Sequence, residues 1–136
     1  MKVVIQQHKT GCAIASSAAI AGVSYNEAKT IANNIGIFAE DTALWSKTDC
    51  IRKLLKKLNV TVADHETAFT TWDDLPNCAL LAIKWQRVNN VPYWHWVVFV
   101  RESEHSYVLD SKKDLKTNNR IDFGRIKPKW FIAINL

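Results

Sequence analysis

The chain has 136 residues, is 48% hydrophobic with six Trp, and carries a formal net charge of +5. That length, with only four Gly and three Pro, predicts one folded domain over residues 1–136 and excludes low-complexity sequence. The three Cys are an odd number, which argues against a disulfide framework; at positions 12, 50 and 78 they match no zinc-ligand spacing. Reduced thiols in a cytoplasmic setting, with no metal and no cofactor, are therefore expected.

Residues 3–6 form a short extended lead-in. Gln6, Gln7, His8 and Lys9 interrupt any apolar run that would make the first segment a secretory signal. No stretch approaches the ~20 apolar residues of a membrane span. The segment 12–21 predicts a helix whose Ala, Ser and Gly surface allows close packing, with Gly22 as its stop. Ser24 and Glu27 form a capping-box pattern that opens a second helix to about Asn34, and Gly36 follows it. Ser46 to Asp49 reads as the cap of a third helix, which is amphipathic: Cys50, Ile51, Leu54, Leu55 and Leu58 lie on one face, Lys53, Lys56 and Lys57 on the other.

After Asn59 the period becomes extended. Residues 60–63, 79–85, 94–101, 106–110 and 129–135 predict strands, with turns at 72–76 and 89–92. The run 79–85 is apolar without alternation, so it is expected to be buried on both faces. Helices first and an antiparallel sheet second make the expected fold class α+β.

The chemistry concentrates at Cys12. It follows a glycine at the start of a helix, where the partial positive charge of the helix N-terminus favours a thiolate. His95 lies in the strand 94–101, on the face of Val97 and Phe99, while Trp94 and Trp96 take the other. A symmetric turn about Ser103 and Glu104 pairs Arg101 with Ser106. It sets Asp110 opposite Val97, diagonal to His95 at roughly 7–8 Å between Cα atoms, within reach of an Asp–His hydrogen bond. The small-residue helix is expected to cover the His95, Val97 and Phe99 face and so bring Cys12 to His95. Nucleophile, base and orienting carboxylate then follow in chain order. Gln6, in the lead-in, is positioned to donate to a tetrahedral oxyanion beside the Cys12 backbone N–H. By composition alone Gln7 serves equally.

The other candidates read as structural. Cys50 lies on an apolar helix face and Cys78 at the mouth of a buried strand. His65 and His105 fall in polar connections, and His8 is a rival base only through its proximity to Cys12. The basic segments 52–57 and 112–129 read as solvated faces. A nucleic-acid surface would interleave aromatics with the cations, and only Trp130, near Lys127 and Lys129, hints at that. A nucleic-acid partner is therefore not expected, and the sequence sets no oligomeric state.

Taken together, Gln6-x5-Cys12-Ala-x-Ala, His95-Trp-Val-Val-Phe and Tyr107-Val-Leu-Asp110 resemble the papain-like cysteine peptidases of bacteria that process bacteriocin leaders, and their stand-alone peptidase-like relatives. The resemblance runs over nearly the whole chain. It implies a papain-like fold, a triad of Cys12, His95 and Asp110, an oxyanion glutamine at Gln6, and a peptide or protein substrate. The chain departs from the family's pattern at Thr10-Gly11, where an acidic residue usually precedes the cysteine, and at Asp110-Ser111, where Asp-Pro is common. The expected activity is a cysteine peptidase or amide hydrolase. An acyltransferase, a glutamine deamidase or a silent peptide-binding module would carry the same features.

Overall fold

The computed structural model describes residues 1–136. Three helices precede an antiparallel sheet: α1 (Cys12–Ala21), α2 (Tyr25–Asn34), α3 (Asp49–Lys57), then β1 (Thr61–Val62), β2 (Thr67–Ala68), β3 (Cys78–Val88), β4 (Val91–Glu102), β5 (His105–Leu109), β6 (Asn119–Arg120) and β7 (Trp130–Asn135). Short 3-10 turns occupy Thr42–Ser46 and Phe123–Arg125. The sheet runs β1-β7-β3-β4-β5-β6, with β2 paired to the β7 strand as well. The α+β class expected from the sequence is the one observed.

Local chemistry explains most of the boundaries. Gly22 closes α1 in the left-handed region, at φ 74°, and its N–H returns to the Ala18 and Ala19 carbonyls. The Ser24 hydroxyl accepts from Glu27 N–H, which is the predicted cap of α2. The expected cap of α3 differs. Ser46 belongs to the preceding 3-10 turn and donates to the Ala43 carbonyl, and Thr48 precedes α3 with its hydroxyl given to Glu66. Asn89 and Asn90, at φ 53° and 65°, form a two-residue turn, so β3 and β4 run to its edges and Pro92 lies inside a strand. The strands β2 and β6 have two residues each, too short for any alternation to be read.

Two cores flank the sheet. The larger joins α1, α2 and α3 to Leu80, Ala82, Trp96, Val98, Val100 and Leu109. The smaller lies on the opposite face, where Leu81, Ile83, Val97, Phe99 and Val108 meet Leu75 and Ile126. The middle of β3 is accordingly buried on both faces, as its unbroken apolar run predicts. The helix α1 is buried from Ala13 to Ile20 and packs on α2, α3 and β4. Its Ala and Ser side chains are what allow it that central place.

One expectation is corrected here. The α1 helix covers the Trp96, Val98 and Val100 face, whereas Val97 and Phe99 belong to the core on the other side. Larger side chains close that second face: Trp72 packs at 5.9 Å from Phe99 and 4.8 Å from Phe123. Cys12 therefore reaches His95 at the rim of the sheet and not across its face.

Candidate active site

The rim is created by a difference in strand length. The β4–β5 register pairs Arg101 with Ser106 and Val98 with Leu109, as a two-residue turn at Ser103 and Glu104 requires. Past Leu109 the β5 strand ends, while β4 continues back through Trp96 and His95. The outward N–H of Trp96 is left without a strand partner, and it donates to Cys12 Sγ at 3.5 Å. The nucleophile candidate thus occupies the place where a longer β5 would have run.

Asp110 comes next after β5 and lies where the register predicts. Its Oδ1 accepts from His95 Nε2 at 2.7 Å. An ionised carboxylate only accepts, so Nε2 carries the hydrogen and Nδ1 is the ring nitrogen left for the sulfur. The sulfur, held by the N–H of the next residue in β4, lies near enough to the imidazole to favour its charged form. The three sequence-predicted residues are brought together.

Asp110 is held from several directions. Lys112 N–H donates to Oδ1 at 3.1 Å, Arg120 Nη1 donates to Oδ2 at 3.0 Å, and Asn118 Nδ2 holds the Asp110 carbonyl at 2.7 Å. The side chain is 1% exposed and that of His95 16%. Burial opposes charge on Asp110, but the His95, Lys112 and Arg120 contacts outweigh it and hold the carboxyl down to about 2. Burial likewise opposes charge on His95, and the bond to Asp110 and the nearby Cys12 sulfur outweigh it, lifting the imidazole to about 9. Near neutral pH the site holds an imidazolium between a carboxylate and a sulfur.

The lead-in is tied to the same place. Gln6 N–H donates to the Ser111 carbonyl at 3.0 Å, and the Ser111 hydroxyl donates to Gln6 Oε1 at 2.9 Å. Gln6 is buried, and both hydrogens of its Nε2 are directed at backbone carbonyls, those of His8 at 2.9 Å and Lys9 at 3.0 Å. At rest the amide braces the loop that delivers Cys12. Gln6 lines the same cavity as Cys12, and donating to an oxyanion would require it to release one of those carbonyls. As the first residue of α1, Cys12 has its own N–H outside the helical ladder. Gln7 lines the cavity too, but on the exposed side of the loop.

Gly11 is required by close approach. A Cβ there would strike the Tyr25 hydroxyl. That hydroxyl contacts His8 Nδ1 at 2.8 Å, and His8 Nε2 lies 3.2 Å from Glu40. His8 is thus engaged by Tyr25 and Glu40 on the cavity wall, away from the Asp110 carboxylate. Burial pushes the Cys78 thiol up to about 12 and raises that of Cys50. His65 pairs with Asp64 at the surface, and His105 is exposed at the hairpin tip. Trp130 is packed edge-on against Trp94 and Trp96 at 4.9 and 5.3 Å, so it is committed to an aromatic cluster.

Arg120 is the residue that sequence reading missed. It lies within the basic run 112–129, and nothing in a two-residue strand marks it as inward-facing. Its guanidinium bridges Asp110 and Asp122. The only sequence signal is Asp122, two residues away, which supplies a fork partner.

The cavity measures about 670 Å³ and is lined by Cys12 and His95, with Trp45, Tyr93 and Trp94 among its other walls. No cluster of three or more His, Cys, Asp or Glu is arranged to hold a metal. No helix is long and apolar enough to cross a membrane. Comparison with protein-family models and with characterised proteins finds no match to the chain.

Proposed function

We propose that the protein is a cysteine-dependent amide hydrolase of papain-like type, most simply a peptidase. The observation that carries the reading is the Asp110–His95 hydrogen bond in a cavity that His95 lines together with Cys12, whose sulfur is held by the adjoining Trp96 N–H. The short motifs around Gln6, Cys12, His95 and Asp110 support the same family independently of that contact.

In the proposed reaction Cys12, its thiol proton already on His95, adds Sγ as thiolate to the carbonyl carbon of a bound amide. The oxyanion formed is met by the Cys12 backbone N–H and by Gln6 Nε2. His95 gives its proton to the leaving nitrogen, the C–N bond breaks, and a thioester remains on Sγ. His95 then takes a proton from water as that water attacks the thioester, and the C–S bond breaks to release the acid product and restore the thiolate beside the imidazolium. Asp110 keeps Nδ1 aimed at the sulfur through Nε2 and stabilises the imidazolium; it transfers no proton.

The test is trapping. An activated thioester mixed with the protein and quenched in acid should leave an acyl group on Cys12, read by peptide mass mapping. Loss of that adduct in water at the rate of product formation supports a hydrolase. Faster loss with added amine, with acyl transferred to it, supports the acyltransferase. Ammonia release from a glutamine peptide supports the deamidase. Absence of any adduct on Cys12 would leave only the silent binding module.

A further inference from the structure

The cavity is more positive than the Cys12–His95 pair requires. Lys9, Lys84, Lys112 and Lys113 line it against a single carboxylate side chain, Asp114. None of the four lysines is in an ion pair. All four are exposed, so on sequence grounds they would pass as a solvated face. Their origin argues otherwise, because they converge from three separate parts of the chain.

Lys9 comes from the loop that delivers the nucleophile. Lys84 sits at the irregularity of β3 between Ile83 and Gln86, in the left-handed region at φ 53°. A bulge of this kind re-aims a side chain, and here it turns a lysine toward the cavity. Lys112 and Lys113 follow directly on Asp110, in a segment fixed by the Lys112 N–H to Asp110 bond at 3.1 Å and the Asn118 to Lys112 carbonyl bond at 2.8 Å. The backbones of Lys9 and Lys112 are thus fixed by bonds of the segments that carry Cys12 and Asp110, and that of Lys84 by its place in the sheet.

We propose that the acyl substrate of this site is anionic: a peptide segment with Asp or Glu side chains on both sides of the attacked amide. The inference rests on the proposed nucleophilic role of Cys12. Cations brought to one cavity from three parts of the chain call for carboxylates at several points along an extended chain, and a cavity lined by one sign of charge raises the local concentration of the opposite sign.

Iodoacetate and iodoacetamide test this, since they are similar in size, alkylate through the same carbon and differ in charge. The rate ratio of the two at Cys12, measured at low salt, should be about tenfold higher in the native protein than in Lys84→Gln/Lys112→Gln/Lys113→Gln. His95 is present in both proteins and cancels. Asp114→Asn should raise the ratio. In the native protein alone the ratio should fall toward that of mercaptoethanol at about 1 M salt, where the Debye length is about 3 Å; this arm needs no variant to fold. A glutamate-rich peptide should protect Cys12 from iodoacetamide and its glutamine counterpart should not. A ratio that is flat with salt and unchanged in the variant, with Cys12 still the fastest thiol, overturns the acidic substrate and leaves the nucleophile standing. Protection by oligothymidylate in place of the peptide also overturns it. Cys12 reacting no faster than Cys50 with either reagent removes both readings together.

Discussion

The two sides of the cavity are built by opposite means. On one side, His95 and Asp110 are placed by sheet register: β4 and β5 fix where each Cα lies, and backbone or buried side-chain groups hold the carboxylate. On the other, Cys12 is delivered by the irregular stretch 6–11, outside any strand ladder, where Gln6 on two carbonyls and Tyr25 against Gly11 add to two backbone bonds. The first side will keep its geometry when a contact is lost, at some cost in stability, and register the loss chiefly in the chemistry. The second will register it in both geometry and chemistry.

The largest effect is expected from His95→Ala, on the register-built side. General acid and base roles are both removed, so thioester turnover should fall by about 10⁴, and alkylation of Cys12 should slow; the fold should be retained, with a lower melting temperature because Asp110 loses its imidazolium partner. His8→Ala should leave turnover intact, because His8 is turned to Tyr25 and Glu40. If His8→Ala proves the damaging change, the base lies on the loop side.

Asp110→Asn comes next. Its neutral amide keeps the shape and loses the charge that favours imidazolium, and turnover should drop by about 10³–10⁴. The pH profile supplies the second readout. His95 is raised from 6.5 to about 9, so protons leave it only as pH climbs through that value. The falling limb of turnover, which reports loss of the proton for the leaving nitrogen, should lie near there, and in Asp110→Asn it should move to lower pH. Folding stability follows the same signs. The His95 contribution is full below 6.5 and lost through about 9. That of Asp110, lowered from 3.8 to about 2, is full above the first value and lost as pH falls through the second.

Gln6→Ala sharpens the comparison on the loop side. As an oxyanion donor it should cost about 10²–10³ in turnover. Because its amide also braces the His8 and Lys9 carbonyls, the melting temperature should fall as well, measured by circular dichroism. A kinetic loss with no change in melting would mean that Gln6 does not hold the loop at rest. A melting loss with turnover preserved would make it a brace alone, and would send the oxyanion to another donor.

The register-built side was the legible one. Alternation in residues 94–101 and a two-residue turn at Ser103 and Glu104 suffice to set Asp110 diagonal to His95, because strand pairing repeats every two residues. Which helix covers which face was not legible. That choice depended on Trp72 and Phe123, carried by irregular segments with no period to read. Arg120 was hidden for the same reason, since charge and a two-residue strand say nothing about direction. The contacts of Gln6 depend on where the Gln6–Gly11 loop turns, and its carbonyls carry no signature in residue type. The bulge at Lys84 was equally silent, as a lysine at positive φ follows from pairing irregularity and not from its own preference.

The short β5 has a spectroscopic consequence. Because that strand stops at Leu109, the amide proton of Trp96 points at Cys12 Sγ and at nothing else in the sheet. Its NMR resonance should therefore shift when the sulfur is alkylated or acylated, while Val98 and Val100, one and two strand repeats further along, remain still. A single backbone amide would then follow the acylation state of the protein in real time, with no substrate label and no knowledge of the substrate.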